Sequence, residues 1–88
     1  MLIPDYKTSF KKDIAKLQRR KKDITKLISV ACMLISEMPL PQQYENHPLK
    51  GNYAGYMDCH IEPDWLIIYK LDAPYIEFIR TGTHSDLF

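Results

Sequence analysis

The chain has 88 residues and a mass of 10.4 kDa, room for one domain with a limited core. Its hydrophobic share of 45% and charged share of 26% are those of a soluble globular protein, and 3 Gly with 6 unperiodic Pro exclude collagen-like and low-complexity classes. The formal charge of +1 conceals a division: residues 1–26 hold nine Lys/Arg against three acids, and residues 27–88 hold three against eight, giving +6 and −5. Such an asymmetry reads either as a basic face for a polyanion or an acidic partner, or as a solvated helix surface.

Leu2-Ile3-Pro4 fits a short edge strand, because proline donates no ladder hydrogen bond. Thr8 or Ser9 is expected to cap a first helix, in which Phe10, Ile14 and Leu17 recur on one face with Lys and Arg between them. The four cations Arg19–Lys22 mark its end. Asp23 is placed to cap a second helix with the apolar stripe Ile24, Leu27, Ile28, Ala31, Leu34, Ile35 and Met38, which Pro39 and Pro41 are expected to stop. Residues 39–52, with Pro39, Pro41, Pro48 and Gly51, read as a loop. The period then changes to two. Tyr53–Ile61, Trp65–Leu71 and Tyr75–Thr81 are strand-like, separated by Glu62-Pro63-Asp64 and Asp72-Ala73-Pro74, which are short enough for hairpins. The expected fold is α+β, a single domain over residues 1–88 in the order β-α-α-β-β-β, with a helix hairpin packed on an antiparallel sheet.

Cys32 and Cys59 set no disulfide framework, and both are expected as buried, reduced thiols. The first ten residues lack the apolar core of a signal peptide, and Leu27–Ser36 is too short to cross a bilayer. Together these point to a cytoplasmic protein with no membrane association.

Alternation along Tyr53–Ile61 puts Tyr56, Asp58 and His60 on one face and Gly55, Met57, Cys59 and Ile61 on the other. His47, Cys59, His60 and His84 are potential metal ligands. No CxxC, HxxxH or HExxH spacing accompanies them, so no metal is assigned. Ser85 and Asp86 adjoin His84, but adjacency is not triad geometry. There is no Gly-rich phosphate loop. General acid–base chemistry is better supported, since histidine exchanges protons near neutrality and neighbouring carboxylates can divide the tasks. Arg80 is a candidate to neutralise phosphoryl charge. Trp65 and Phe88 are candidates to stack on unpaired bases, although a tryptophan in such a strand is more often core.

Three blocks carry a resemblance: His47-Pro48-Leu49-Lys50-Gly51, the run from Tyr56 through His60-Ile61-Glu62-Pro63-Asp64-Trp65 to Lys70, and Arg80-Thr81-Gly82-Thr83-His84-Ser85-Asp86-Leu87-Phe88. In this order and at this chain length they closely resemble the YafQ branch of the RelE toxin superfamily, toxins of bacterial type II toxin–antitoxin systems. The N-terminal half agrees in pattern rather than in particular residues.

The resemblance implies a RelE-like fold and ribosome-dependent endoribonuclease activity on mRNA in the A site. It implies attack by the ribose 2′-hydroxyl on phosphorus without a metal or other cofactor, leaving a 2′,3′-cyclic phosphate and a free 5′-hydroxyl. The family's site maps onto His47, Asp58, His60, Asp64, Trp65, His84 and Phe88. His84 is then the expected general acid. His47, His60 and Asp64 stand unranked as base or phosphate holder, Asp58 orients or tunes a histidine, and Arg80 stabilises charge. Trp65, Phe88 and Lys50 are expected to meet substrate. Met57 stands where family members commonly carry Arg, which is expected to remove a cation near the site. Lys11, Lys12, Lys16, Arg19, Arg20, Lys21 and Lys22 are expected to dock on ribosomal RNA. The implied partners are a cognate acidic antitoxin, the ribosome and its mRNA, with operator DNA reached only through the antitoxin. The alternatives are a catalytically degenerate module that binds antitoxin or ribosome without cleaving, and an RNase acting on free RNA.

Overall fold

A computed structural model describes all of residues 1–88. Strand β1 (Ile3–Tyr6) leads into helices α1 (Thr8–Arg19) and α2 (Ile24–Ile35). After them come a two-residue strand β2 (His47–Pro48), the meander β3 (Met57–Glu62), β4 (Trp65–Asp72) and β5 (Tyr75–Gly82), and a one-turn helix α3 (His84–Leu87). The five strands form one sheet in the order β1-β5-β4-β3-β2. All pairs are antiparallel except β1 with β5, which is parallel, so the sheet is mixed where an antiparallel one was expected. Proline-bearing β1 does lie at an edge.

The helix ends follow local chemistry. Asp23 caps α2, its side chain accepting from the Thr25 N–H at 3.1 Å. Thr8 and Ser9 do not cap α1: the cap position is Lys7, and the Ser9 hydroxyl instead donates to the Ile79 carbonyl at 2.7 Å, tying α1 to β5. Both helices stop in the same way. Lys21 (φ 60°) and Glu37 (φ 58°) take left-handed conformations. In α1 the Lys21 and Lys22 amides reach back to the Gln18 and Leu17 carbonyls, and in α2 the Glu37 and Met38 amides reach back to Leu34 and Met33. These are paired 5→2 and 6→1 closures that satisfy the last turn. Helix α2 therefore ends four residues before Pro39, without proline's help.

The helices cover one sheet face. Phe10, Leu17, Leu27, Val30 and Leu34 pack there on Cys59, Ile61, Ile67, Tyr69 and Phe78. Val30 is buried where the expected stripe had Ile28, and Ile28 and Met38 are exposed. Cys32 is exposed too, in an apolar groove of about 380 Å³ between α1 and α2, so only Cys59 is buried as expected. Burial pushes the Cys59 thiol up to about 12, which keeps it protonated. No helix is long and apolar enough to cross a membrane.

The opposite sheet face carries a smaller core of Leu66, Ile68 and Leu87, overlaid by Leu49, Tyr53 and Tyr56. Here the expected loop contains structure: two 3₁₀ turns, Gln42–Tyr44 and Gly51–Tyr53, flank β2. Strand β3 consequently begins at Met57 rather than Tyr53.

Candidate active site

Three chain segments deliver one histidine each to this second face. Strand β2 pairs with β3 so that His47 lies opposite Asp58. Alternation along β3 sets Asp58 and His60 side by side, as the sequence predicts. The third histidine comes from α3, whose first residue is His84. The His47 and His60 rings are 6.3 Å apart between centroids, and the His60 and His84 rings 5.6 Å.

Asp64, in the β3–β4 turn, holds His84. Its Oδ1 accepts from the His84 backbone N–H at 3.0 Å and from ring Nδ1 at 2.7 Å. A carboxylate can only accept, so Nδ1 carries the proton and Nε2 is the ring nitrogen that this contact leaves free. The same hydrogen bonds hold the Asp64 carboxyl below its ordinary range. Asp58 differs. It is only 4% exposed, and burial pushes its carboxyl up, against the opposing pull of His47, His60 and His84. His47 Nδ1 lies 3.3 Å from Asp58 Oδ1, and Glu45 Oε2 lies 2.6 Å from His60 Nδ1. Neither approach has the direction of a hydrogen bond, so Asp58 Oδ1 and His60 Nδ1 are buried without partners. Donor atoms of His47, Asp58 and His60 lie within 4.8 Å of one another, a metal-sized group that the strand pairing builds and that no local sequence spacing reveals.

Helix α3 is anchored at Asp86. Thr83 and Asp86 form a reciprocal capping box, and Asp86 also accepts from Arg20 at 2.8 and 3.1 Å and from Lys16 at 3.3 Å. These contacts drive its carboxyl far below the ordinary carboxylate range, Arg20 foremost. Phe88 follows, 61% exposed, with its ring 5.5 Å from Tyr53 and 6.4 Å from His84. Lys50 is exposed beside the second 3₁₀ turn.

Other expected site residues lie elsewhere. Trp65 is 1% exposed in the helix-side core and donates Nε1–H to Thr81 Oγ1 at 3.0 Å, so it offers no face to a base. Arg80 is engaged by Asp13 of α1, through Nε at 2.6 Å and Nη2 at 3.2 Å. Met57 packs against the helix-side core, so a residue there does not face the histidines. Of the seven basic-face residues, Lys16 and Arg20 hold Asp86, and Lys22 holds Glu62 at 3.0 Å while covering the Trp65 ring. Lys11, Lys12, Arg19 and Lys21 are exposed and unpaired. Sequence reasoning missed Glu45 and Tyr53 at the site and Asp13 behind Arg80, and it placed Tyr56 on the face of Asp58 and His60 without giving it a role. Of those missed, Tyr53 alone had a signal, as an aromatic just after the His47 block.

Residues 2–88 match the family described as "Bacterial toxin of type II toxin-antitoxin system, YafQ". The chain is 46% identical over 85 residues to the mRNA interferase toxin YafQ of Escherichia coli strain K12, covering 96% of this chain and 92% of that protein. It superposes with a TM-score of 0.92 and 44% identity on a chain of the E. coli DinJ–YafQ complex, covering 100% and 99% of the two chains. With a copper-bound mutant toxin from Helicobacter pylori the TM-score is 0.94 and the identity 36%, over the whole of both chains. The chain belongs to the YafQ family of bacterial type II toxin–antitoxin toxins.

Proposed function

We propose that this toxin is a ribosome-dependent mRNA endoribonuclease that cleaves by 2′-hydroxyl attack. The observation that carries the reading is the convergence of His47, His60 and His84 with Asp58 and Asp64 on one solvent-facing sheet surface. The relative named as an mRNA interferase supports it.

In the reaction, a base removes the 2′-hydroxyl proton and the 2′-oxygen bonds to phosphorus. The 5′-oxygen departs and takes a proton from an acid, leaving a 2′,3′-cyclic phosphate and a 5′-hydroxyl. His84 is the acid: its Nε2–H goes to the leaving oxygen while Asp64 holds Nδ1–H and sets the ring direction. That engagement makes Asp64 an orienting group rather than the base. The base comes from the His47–Asp58–His60 group, which lies across from His84. No step takes a metal ion. Phe88 and Lys50 meet the RNA. Arg80, already neutralised by Asp13, acts at longer range or after that pair opens.

The ribosome supplies the remaining positioning, and the unpaired cations Lys11, Lys12, Arg19 and Lys21 dock on its RNA. A cognate antitoxin is the second partner, a reading supported by the E. coli DinJ–YafQ toxin–antitoxin complex; we take it to be acidic and to make the contact with operator DNA. The site of action is the cytoplasm.

The test is incubation of the toxin with mRNA on ribosomes and with the same mRNA naked, followed by analysis of the new termini. Cleavage on ribosomes with cyclic-phosphate ends, and little on naked RNA, is expected. Equal cutting of naked RNA would make it a free-standing RNase. Ribosome binding without cleavage would make it a degenerate binding module.

A further inference from the structure

His60 Nδ1 is shut off from water and lacks an aligned hydrogen-bond partner, a state in which native proteins leave few polar atoms. A carboxylate oxygen, Glu45 Oε2, lies 2.6 Å away, already at the separation of a charge-assisted hydrogen bond. Only the direction is wanting, and the exposed Glu45 side chain supplies it by turning its terminal carboxylate. The backbone holds Glu45 in place for this contact. It closes the 3₁₀ turn Gln42–Tyr44 in a left-handed conformation (φ 44°, ψ 54°), donating its N–H to the Gln42 carbonyl at 3.0 Å. That region is uncommon for a residue with a side chain. Both neighbours are anchored: Tyr44 packs against the helix-side core, and Asn46 Oδ1 accepts from the buried Tyr69 hydroxyl.

The pairing repeats that of the acid. Asp64 Oδ1 holds His84 Nδ1 at 2.7 Å, and the His84 and His60 rings are 5.6 Å apart between centroids. His47 is exposed, and its carboxylate neighbour Asp58 stands farther off, at 3.3 Å. We propose that Glu45 is the positioning residue of the general base: it accepts Nδ1–H of His60, fixes the ring and leaves Nε2 to take the 2′-hydroxyl proton. The base role rests on the function proposed above, whereas the Glu45–His60 contact rests on geometry alone. As the proton passes to Nε2, the 2′-oxygen bonds to phosphorus, the bond from phosphorus to the 5′-oxygen breaks, and that oxygen takes the proton of His84. The negative charge of Glu45 then faces the imidazolium formed on His60.

The experiment has two arms. Nitrogen-15 magnetic resonance of the ring nitrogens is recorded on the free toxin at about pH 8.5, above the ordinary imidazole range. His60 is expected as the Nδ1–H tautomer in wild type and in Glu45→Gln, whose amide oxygen still accepts. In Glu45→Ala it should shift toward Nε2–H, while His84 keeps Nδ1–H on Asp64 and shows the site otherwise intact. In the second arm, single-turnover cleavage of ribosome-bound mRNA by Glu45→Ala should fall about tenfold in kcat, with KM within about twofold, and Glu45→Gln should lie between it and wild type. In a His60→Gln background, Glu45→Ala should change the rate by less than about twofold, because the two residues act as one unit. A His60 tautomer indifferent to Glu45→Ala would overturn the contact. An unchanged kcat in Glu45→Ala, or an equal further loss in the His60→Gln background, would overturn the positioning role. Wild-type toxin that cleaves no ribosome-bound mRNA would overturn the base role together with the functional reading, and the ring spectra would still decide the contact.

Discussion

Both the backbone N–H and the ring Nδ1–H of His84 donate to one oxygen of Asp64, at 3.0 and 2.7 Å. A turn residue of the β3–β4 hairpin thereby fixes the ring that begins α3, twenty positions away, and leaves Nε2 free. His84→Ala should lower cleavage by about 10²–10⁴-fold, the scale of a lost general acid. Asp64→Asn keeps the ring but loosens its tautomer, so a smaller loss that falls on kcat rather than KM is expected. Single-turnover cleavage of ribosome-bound mRNA separates the two variants. Equal losses in both would contradict an orienting role.

Asp86 connects the basic helix α1 and its C-cap to α3, the helix that carries His84. Asp86→Asn weakens the capping box and the clamp from Arg20 and Lys16. Loss of a cap costs about 1 kcal/mol, which in a domain of this size lowers the melting temperature by about 4–8 °C. The Asp86 carboxyl is depressed in the folded state, so its contribution is complete above the ordinary carboxylate pKa and is lost as pH falls toward the folded value. The melting difference between wild type and Asp86→Asn should therefore be present at pH 7 and shrink as the pH is lowered below about 4. A difference that does not change with pH would show that the cap matters and the charge does not.

Asp58 has the opposite sign. Burial raises its folded pKa, so its favourable contribution is complete below the unfolded value and is lost as pH rises through the folded one. Asp58→Asn should raise the melting temperature of metal-free protein at pH 7, match wild type at pH 3, and reduce cleavage. A destabilised variant at pH 7 would mean that the histidines more than compensate for the desolvation of the carboxylate.

Trp65 is a core residue. Trp65→Ala should cost about 3–5 kcal/mol. Trp65→Phe, which gives up the bond to Thr81, should cost about 1 kcal/mol while leaving kcat/KM within about threefold. Chemical denaturation and cleavage on the same preparations test this. A large catalytic loss in stable Trp65→Phe would return the ring to the substrate.

The basic face divides into two sets. Replacing Lys11, Lys12, Arg19 and Lys21 by Ala should weaken ribosome binding and flatten its salt dependence by about 0.7–0.9 in log–log slope for each phosphate that is no longer neutralised. Replacing Arg20 should chiefly lower stability, since its charge is spent on Asp86. Sedimentation at several salt concentrations distinguishes the sets.

Most of the fold was legible because it is written locally. Asp23 heads α2, the aromatic runs alternate, and two-residue turns join the meander. What was missed is set by distant partners. A two-residue strand containing Pro48 has too little pattern to stand out from its loop, yet it carries His47 to Asp58. Helix α3 did leave a trace, since Thr83-x-x-Asp86 is a capping box. Val30 rather than Ile28 is buried against the sheet, while Ile28 lines the groove between α1 and α2, a division set by tertiary packing that the hydropathy of α2 does not reveal. The histidines were identified as a set by resemblance, and the ion pairs that occupy Arg80 and Arg20 were invisible, since their partners lie 67 and 66 positions away.

The central claim is tested most directly by primer extension across mRNA on ribosomes carrying either wild-type toxin or His84→Ala at matched occupancy. Codon-phased breaks with wild type, reduced at least a hundredfold by His84→Ala, are predicted. Intact mRNA under bound wild-type toxin, or undiminished breaks with His84→Ala, would contradict the account.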